Sequence, residues 1–184
     1  MTLDEIKKDA RKRAFAARKQ AFAMRAPGAA GYLSTVLAGH RGVPLAGYMP
    51  IRTEIDPLPA MEEAAAHGPV AVPVITAAGQ PLTFAKWEPG CEMVAGAFGA
   101  QIPVNPSPVI PQIVIVPLVA FSRKGGRLGY GGGFYDRTLE LLRARRSTLA
   151  IGFAFDAQEA ADLPLEPTDQ PLDMVVTESR VLQF

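Results

Sequence analysis

Residues 112–142 read QIVIVPLVAFSRKGGRLGYGGGFYDRTLELL, and the reading of this stretch decides the fold. It opens on IVIVPLVAF, an almost unbroken apolar and β-branched run, the pattern of a strand buried on both faces. A polar, basic turn follows at Ser122, Arg123, Lys124, Gly125, Gly126 and Arg127, then LGYGGGFYD, then TLELL with its leucines at helical spacing. Strand, glycine loop, helix is the order that sets backbone N–H groups and a helix N-terminus against an anionic ligand. Glycine suits such a loop because a side chain would hold the backbone away from phosphate, and because positive φ costs it little. Arg123, Lys124 and Arg127 before the loop and Arg137 after it add positive charge. A purely structural turn would need one or two glycines, and this segment carries more than that.

The stretch fits neither of the two common phosphate loops. GxxxxGK[ST] is missing, since Phe134, Tyr135 and Asp136 follow the glycines. A dinucleotide fold wants its glycines at the first βα turn and an acidic residue at the end of the next strand, whereas this loop lies late in the chain.

Outward from it, 184 residues with 48% hydrophobic content suit one domain, residues 1–184, with one sizeable core. The net charge of +1 gives no global field toward nucleic acid or a membrane surface. Cys91 is the one cysteine, so neither an internal disulfide nor a cysteine zinc set can form. His40 and His67 read as surface residues. No leader-like apolar start and no bilayer-length run is present, so a cytoplasmic protein without a membrane partner is expected.

Along the chain, 2–24 reads as a helix with Thr2 as N-cap and Glu5 at the capping-box position. Ile6, Ala10, Ala14, Ala17 and Ala21 make a small, apolar face, and the rest is basic. Lys7 and Arg11, four apart, share a face that this pattern sets opposite the apolar one. From charge alone, that face reads as solvated. Further helices are expected over 31–40, 58–66, 134–146 and 158–163, and strands over 45–49, 70–75, 82–87, 112–121, 149–155 and 174–177. The proline-rich segment 90–111 reads as irregular. Strands alternating with helices predict an α/β fold: a single three-layer domain with a mainly parallel sheet and helices on both faces.

These residues resemble a known family, the 5-formyltetrahydrofolate cyclo-ligases, or 5,10-methenyltetrahydrofolate synthetases. Its hallmark, VPxxAF followed by RLGYGGGYYDR, is matched by Val116, Pro117, Ala120, Phe121 and RLGYGGGFYDR at 127–137. Lys7 and Arg11 match its N-terminal Lys-x-x-x-Arg, and Glu54 and Ile55 its Glu-Ile. Its closing pattern is matched by Gln158, Leu163, Pro164, Glu166, Asp169, Leu172, Asp173 and VVTE at 175–178. Phe134, Ser122, Ile102 and Thr168 stand where the family usually has tyrosine, aspartate, glutamate and histidine.

The resemblance implies ATP- and Mg²⁺-dependent closure of 5-formyltetrahydrofolate to 5,10-methenyltetrahydrofolate, with ADP and phosphate released. It implies an ATP site of Lys7, Arg11, Arg127, Gly129, Tyr130, Gly131, Gly132, Gly133, Phe134, Tyr135 and Asp136. Arg127 and Tyr135 would be catalytic, Met49, Glu54, Phe98 and Tyr135 would bind folate, and Asp136 and Asp169 would hold Mg²⁺. A monomer with a small-molecule substrate is expected. Two alternatives stay open: a catalytically silent folate- or nucleotide-binding regulator on the same fold, and a nucleic-acid binder using the basic helix. The second lacks an aromatic–basic surface pattern.

Overall fold

The computed structural model describes residues 1–184 apart from Phe98. Helix α1, Leu3–Ala23, starts where the capping box closes: Thr2 Oγ1 accepts from the Glu5 N–H at 3.2 Å, and Glu5 Oε2 from the Thr2 N–H at 2.7 Å. Helix α2 is Gly31–Ala38, strand β1 Leu45–Ala46, helix α3 Leu58–Ala65, strand β2 Val70–Val74 and strand β3 Thr83–Trp87. Strands β4, Met93–Ala95, and β5, Gln101–Pro103, pair antiparallel. Strand β6 is Ile113–Pro117, followed by β7, Ala120–Phe121, and β8, Arg127–Leu128. Helix α4, Phe134–Arg145, leads to β9, Leu149–Phe153, then β10, Met174–Val176, and β11, Val181–Gln183.

The main sheet runs β11-β10-β9-β6-β1-β2-β3. Its five inner strands pair parallel, and β3 and β11 close the edges antiparallel. Strand β6 lies at the middle, and its alternation shows the layers. Ile113 and Ile115 enter the core beneath α2 and α3, with Leu33, Leu37 and Met61. Val114 and Val116 enter the opposite core with Leu139 and Leu142 of α4. Two-sided burial is why this strand lacks polar residues. From β1 the chain moves to β2 on one side, and from β6 to β9 and β10 on the other. The strand order therefore reverses between β1 and β6, where open α/β sheets have a crevice at their carboxyl ends.

Several expectations are corrected. The apolar run 112–121 is two strands, because β7 leaves the sheet after Pro117 and pairs with β8 in a separate hairpin. The expected helix 158–163 is only a 3₁₀ turn at Asp156–Gln158; Gln158 Nε2 instead donates to the carbonyls of Leu118 and Val119. Segment 90–111 holds the β4–β5 hairpin. Strand β1 is shorter than 45–49, and β11 lies beyond the last strand expected from sequence.

Helix α1 also departs from the expected division into an apolar face and an opposite cationic one. Ile6 is 39% exposed, whereas Lys7, Ala10 and Arg18 are buried. Ala10 packs with Ala120 and Leu128 of the β7–β8 hairpin, so the cations share the inward face with the alanines rather than opposing them. Alanines leave room for long side chains to lie along that face.

Candidate active site

A cleft of about 760 Å³ opens at the carboxyl ends of the central strands. Tyr48 and Met49 follow β1 into it, Val74 ends β2 with Ile75 just after it, and Pro117 ends β6. Ile102 of the β4–β5 hairpin lines it as well. Every candidate site residue named from the sequence lies on this cleft except Phe98, which is outside the described residues.

The glycine loop forms one wall. Gly131 has φ +104° and Gly133 φ +69°, backbone that a side chain would strain. A Cβ on Gly131 would meet the Arg11 guanidinium at 3.4 Å, and one on Gly133 would approach Arg137 Nη1 to 2.6 Å. Arg11 Nε donates to the Gly129 carbonyl at 2.8 Å, and Arg137 Nη2 to the Gly132 carbonyl at 2.8 Å, so two cations clasp the loop backbone. The Arg137 guanidinium lies over the Phe134 ring at 5.0 Å. Gly133 begins α4 without a capping side chain, leaving first-turn N–H groups for a ligand.

Arg127, 7% exposed, donates from Nη2 to Asp136 Oδ1 at 2.6 Å. Burial pulls its basicity down while Asp136 raises it. Its Nε is buried with no acceptor among the described residues, a donor that an anion could satisfy. Asp136 Oδ1 also accepts from the N–H of Gln170 at 2.9 Å, which sets the α4 carboxylate against the segment carrying Asp169. Asp169 Oδ2 accepts from the Glu166 N–H at 2.7 Å and lies 3.8 Å from Lys7 Nζ. Lys7 also donates to Glu166, tying α1 to the closing segment. Among the described residues no group of three or more acidic, histidine or cysteine side chains forms a metal cage. Asp136 and Asp169 both line the cleft, and carboxylates are donors that suit Mg²⁺, which keeps water and takes phosphate oxygens to complete its shell.

At the other end Glu54 is 5% exposed. Its Oε1 accepts from the Tyr130 hydroxyl at 2.7 Å, and its Oε2 from the Ile51 N–H at 2.9 Å. Burial raises its pKa, opposed by those two hydrogen bonds and by Arg18 and Arg52. Burial, then Glu54, also pushes the Tyr135 hydroxyl up, so it remains protonated and able to donate. Such a cleft can hold a polyanion at the glycine loop and an N–H-bearing ring at Glu54.

Of the family departures, Phe134, Ile102 and Thr168 line the cleft. Ser122 lies away from it, its Oγ accepting from the Gly126 N–H at 3.2 Å in the β7–β8 turn. Sequence reasoning missed Arg18 and Glu166 as parts of this assembly. Arg18 follows Lys7 and Arg11 on the same helical face, a spacing signal that was available.

A sequence model of the 5-formyltetrahydrofolate cyclo-ligase family matches residues 6–178. The 5-formyltetrahydrofolate cyclo-ligase of Escherichia coli K12 is 40% identical over 108 residues, 56% of this chain and 59% of that protein. That of Haemophilus influenzae is 42% identical over 96 residues, 50% of this chain and 51% of that protein. The matched stretch thus spans little more than half the length of these curated relatives. The NMR structure of Aquifex aeolicus 5,10-methenyltetrahydrofolate synthetase superposes with a TM-score of 0.71 at 26% identity, covering 100% of this chain and 93% of that one. A 5,10-methenyltetrahydrofolate synthetase from Mycoplasma pneumoniae shares the fold, with a TM-score of 0.64 at 19% identity.

Proposed function

Because the chain belongs to the 5-formyltetrahydrofolate cyclo-ligase family, we propose that it closes 5-formyltetrahydrofolate to 5,10-methenyltetrahydrofolate at the expense of ATP. The observation that carries this reading is the single cleft joining the buried Glu54 carboxylate to the glycine loop and its cations. A formamide carbonyl is a weak electrophile, and its oxygen is a poor leaving group. Transfer of the γ-phosphoryl group to the formyl oxygen, with ADP leaving, answers both difficulties. N10 then attacks the formyl carbon, loses its proton, and the C–O bond breaks with its electrons going to phosphate. Catalysis of this kind rests on alignment and charge neutralisation.

The chain's own residues suit those tasks. Lys7, Arg11 and the loop from Gly129 to Gly133 would bind the triphosphate, with Tyr130, Phe134 and Asp136 along its edge. Arg127, with its unpartnered Nε, would neutralise charge on the transferring group. Tyr135, held protonated, would donate a hydrogen bond to it. Glu54 would accept from pterin N–H groups, with Met49 against the ring. Asp136 and Asp169 would hold Mg²⁺, which supplies countercharge to the phosphates.

The test is the ultraviolet absorbance of methenyltetrahydrofolate from purified protein and 5-formyltetrahydrofolate. Product forming only with both ATP and Mg²⁺ is expected. Folate binding without turnover would return the chain to the silent regulator.

A further inference from the structure

Arg18 is a cation that neither solvent nor the cleft accounts for. It is 1% exposed, does not line the cleft, and makes no salt bridge among the described residues. Burying a guanidinium without a carboxylate is unfavourable unless its donors are otherwise engaged. Here they are engaged at the folate end. Nε donates to Thr53 Oγ1 at 3.0 Å, and Nη1 to the Tyr130 hydroxyl at 2.5 Å. The guanidinium also lies 5.1 Å from the Phe15 ring centroid and 5.5 Å from that of Tyr130. The Tyr130 hydroxyl in turn donates a hydrogen bond to Glu54 Oε1 at 2.7 Å. A relay of guanidinium, phenol and carboxylate thus crosses from α1 through the glycine loop to the turn bearing Glu54.

That turn needs holding. Arg52 has φ +53°, the left-handed region that a non-glycine residue enters at a cost. The Glu54 N–H donates to the Ile51 carbonyl at 3.1 Å, and the Ile51 N–H returns a bond to Glu54 Oε2 at 2.9 Å. Thr53, between the strained residue and the carboxylate, is the one that Arg18 grips.

We infer that Arg18 is a positioning residue: through Thr53 and Tyr130 it fixes the Glu54 carboxylate at the folate end of the cleft, setting folate affinity without touching folate. The assignment of folate to Glu54 rests on the cyclo-ligase reading; the relay itself does not. Tyr130 stands between Gly129, which Arg11 clasps, and Gly131, so α1 organises both ends of the cleft.

The groups facing Glu54 are Arg18 from α1, Tyr130 from the loop, Arg52 on its own turn, Tyr48 after β1 and Tyr135 in α4. Burial pushes the three phenols up, so they stay neutral where the carboxyl titrates. Tyr130 and Arg18 both lower the Glu54 pKa against burial, so removing either raises it further.

The test uses the full chain with Arg18→Met, Arg18→Lys, Tyr130→Phe and the Arg18→Met/Tyr130→Phe double variant. Tyr130→Phe removes only a hydroxyl and keeps the variant set informative if Arg18→Met fails to fold. Carbon-13 NMR titration of the Glu54 carboxyl, assigned with Glu54→Gln, should show its midpoint moved to higher pH in Tyr130→Phe and Arg18→Met, and partly restored in Arg18→Lys. Affinity for 5-formyltetrahydrofolate, measured by calorimetry without ATP, should fall about tenfold in Arg18→Met and in Tyr130→Phe, less in Arg18→Lys, and more than affinity for ATP falls. The double variant should lose less than the product of the two single losses, because part of the Arg18 effect passes through Tyr130. An unmoved Glu54 titration in Tyr130→Phe, or folate losses that multiply in the double variant, would overturn the relay. Absence of folate binding in the wild-type chain would instead overturn the cyclo-ligase reading, while the titration still decides the relay.

Discussion

On the proposed function, Glu54 would concentrate the recognition of folate in one carboxylate. It is buried, it takes hydrogen bonds from Tyr130 and Ile51, and it retains acceptor capacity toward the cleft. An amide in its place presents N–H groups where a pterin would present its own. Glu54→Gln should weaken 5-formyltetrahydrofolate binding about ten- to a hundredfold, the range expected for charged hydrogen bonds of about 1.5–3 kcal/mol, with a smaller effect on ATP. The sign of the pH dependence follows from burial, which raises the Glu54 pKa. On the proposed function the ionised form would accept from the pterin, so binding should be full above the raised pKa and lost as pH falls through it. Calorimetric folate affinity should therefore fall away at a higher pH than an ordinary carboxylate would give, and Glu54→Gln should abolish that dependence.

At the scale of elements, the glycine loop and α4 form one unit that, on the proposed function, would meet the triphosphate with its backbone rather than its side chains. Gly131 restricts this unit through the backbone, with φ +104°, and a Cβ there would touch the Arg11 guanidinium at 3.4 Å. Gly131→Ala should cost about 1–3 kcal/mol of local backbone strain and displace the loop from Arg11. The expected readout is a raised KM for ATP, with 5-formyltetrahydrofolate binding in the absence of ATP largely kept. Equal loss of both ligands would mean that the loop supports the whole cleft rather than the nucleotide end. Helix α1 complements this unit, since Lys7, Arg11 and Arg18 lie on one face and reach the closing segment, the loop and the folate turn in sequence.

At the scale of the whole molecule, the sheet joins groups distant in the chain. Asp136 opens α4, and Asp169 lies in the crossing between β9 and β10, yet the Gln170 N–H bonds Asp136 Oδ1. If the two carboxylates share one Mg²⁺, Mg²⁺·ATP should raise the wild-type Tm, by about 2.7 kcal/mol of added stability at a hundred times Kd. That gain should be lost in Asp136→Asn and in Asp169→Asn, with turnover falling strongly in both. The double variant should be barely worse than the worse single, as for groups acting as one unit. Multiplicative losses would separate the two sites. Among the described residues no helix is long and apolar enough to cross a membrane.

The apolar run before Pro117 by itself determined a strand buried on both faces at the centre of the sheet, because alternate side chains there had two cores to fill. The glycine loop was equally legible, since close backbone approach and positive φ admit few other residues. The capping box started α1 where Thr2 and Glu5 announced it, a contact three residues long. What tertiary structure alone decided is everything that depends on a partner far along the chain. The inward face of α1 was misjudged because Lys7 and Arg18 are buried against distant acceptors, Glu166, Thr53 and Tyr130, that no local pattern reveals. The β4–β5 hairpin and the departure of β7 from the sheet depend on pairing rather than on propensity. The meeting of Glu54 with Tyr130, across the reversal in strand order, is likewise a product of topology, because a carboxylate can be buried only where the fold supplies donors that offset its lost hydration.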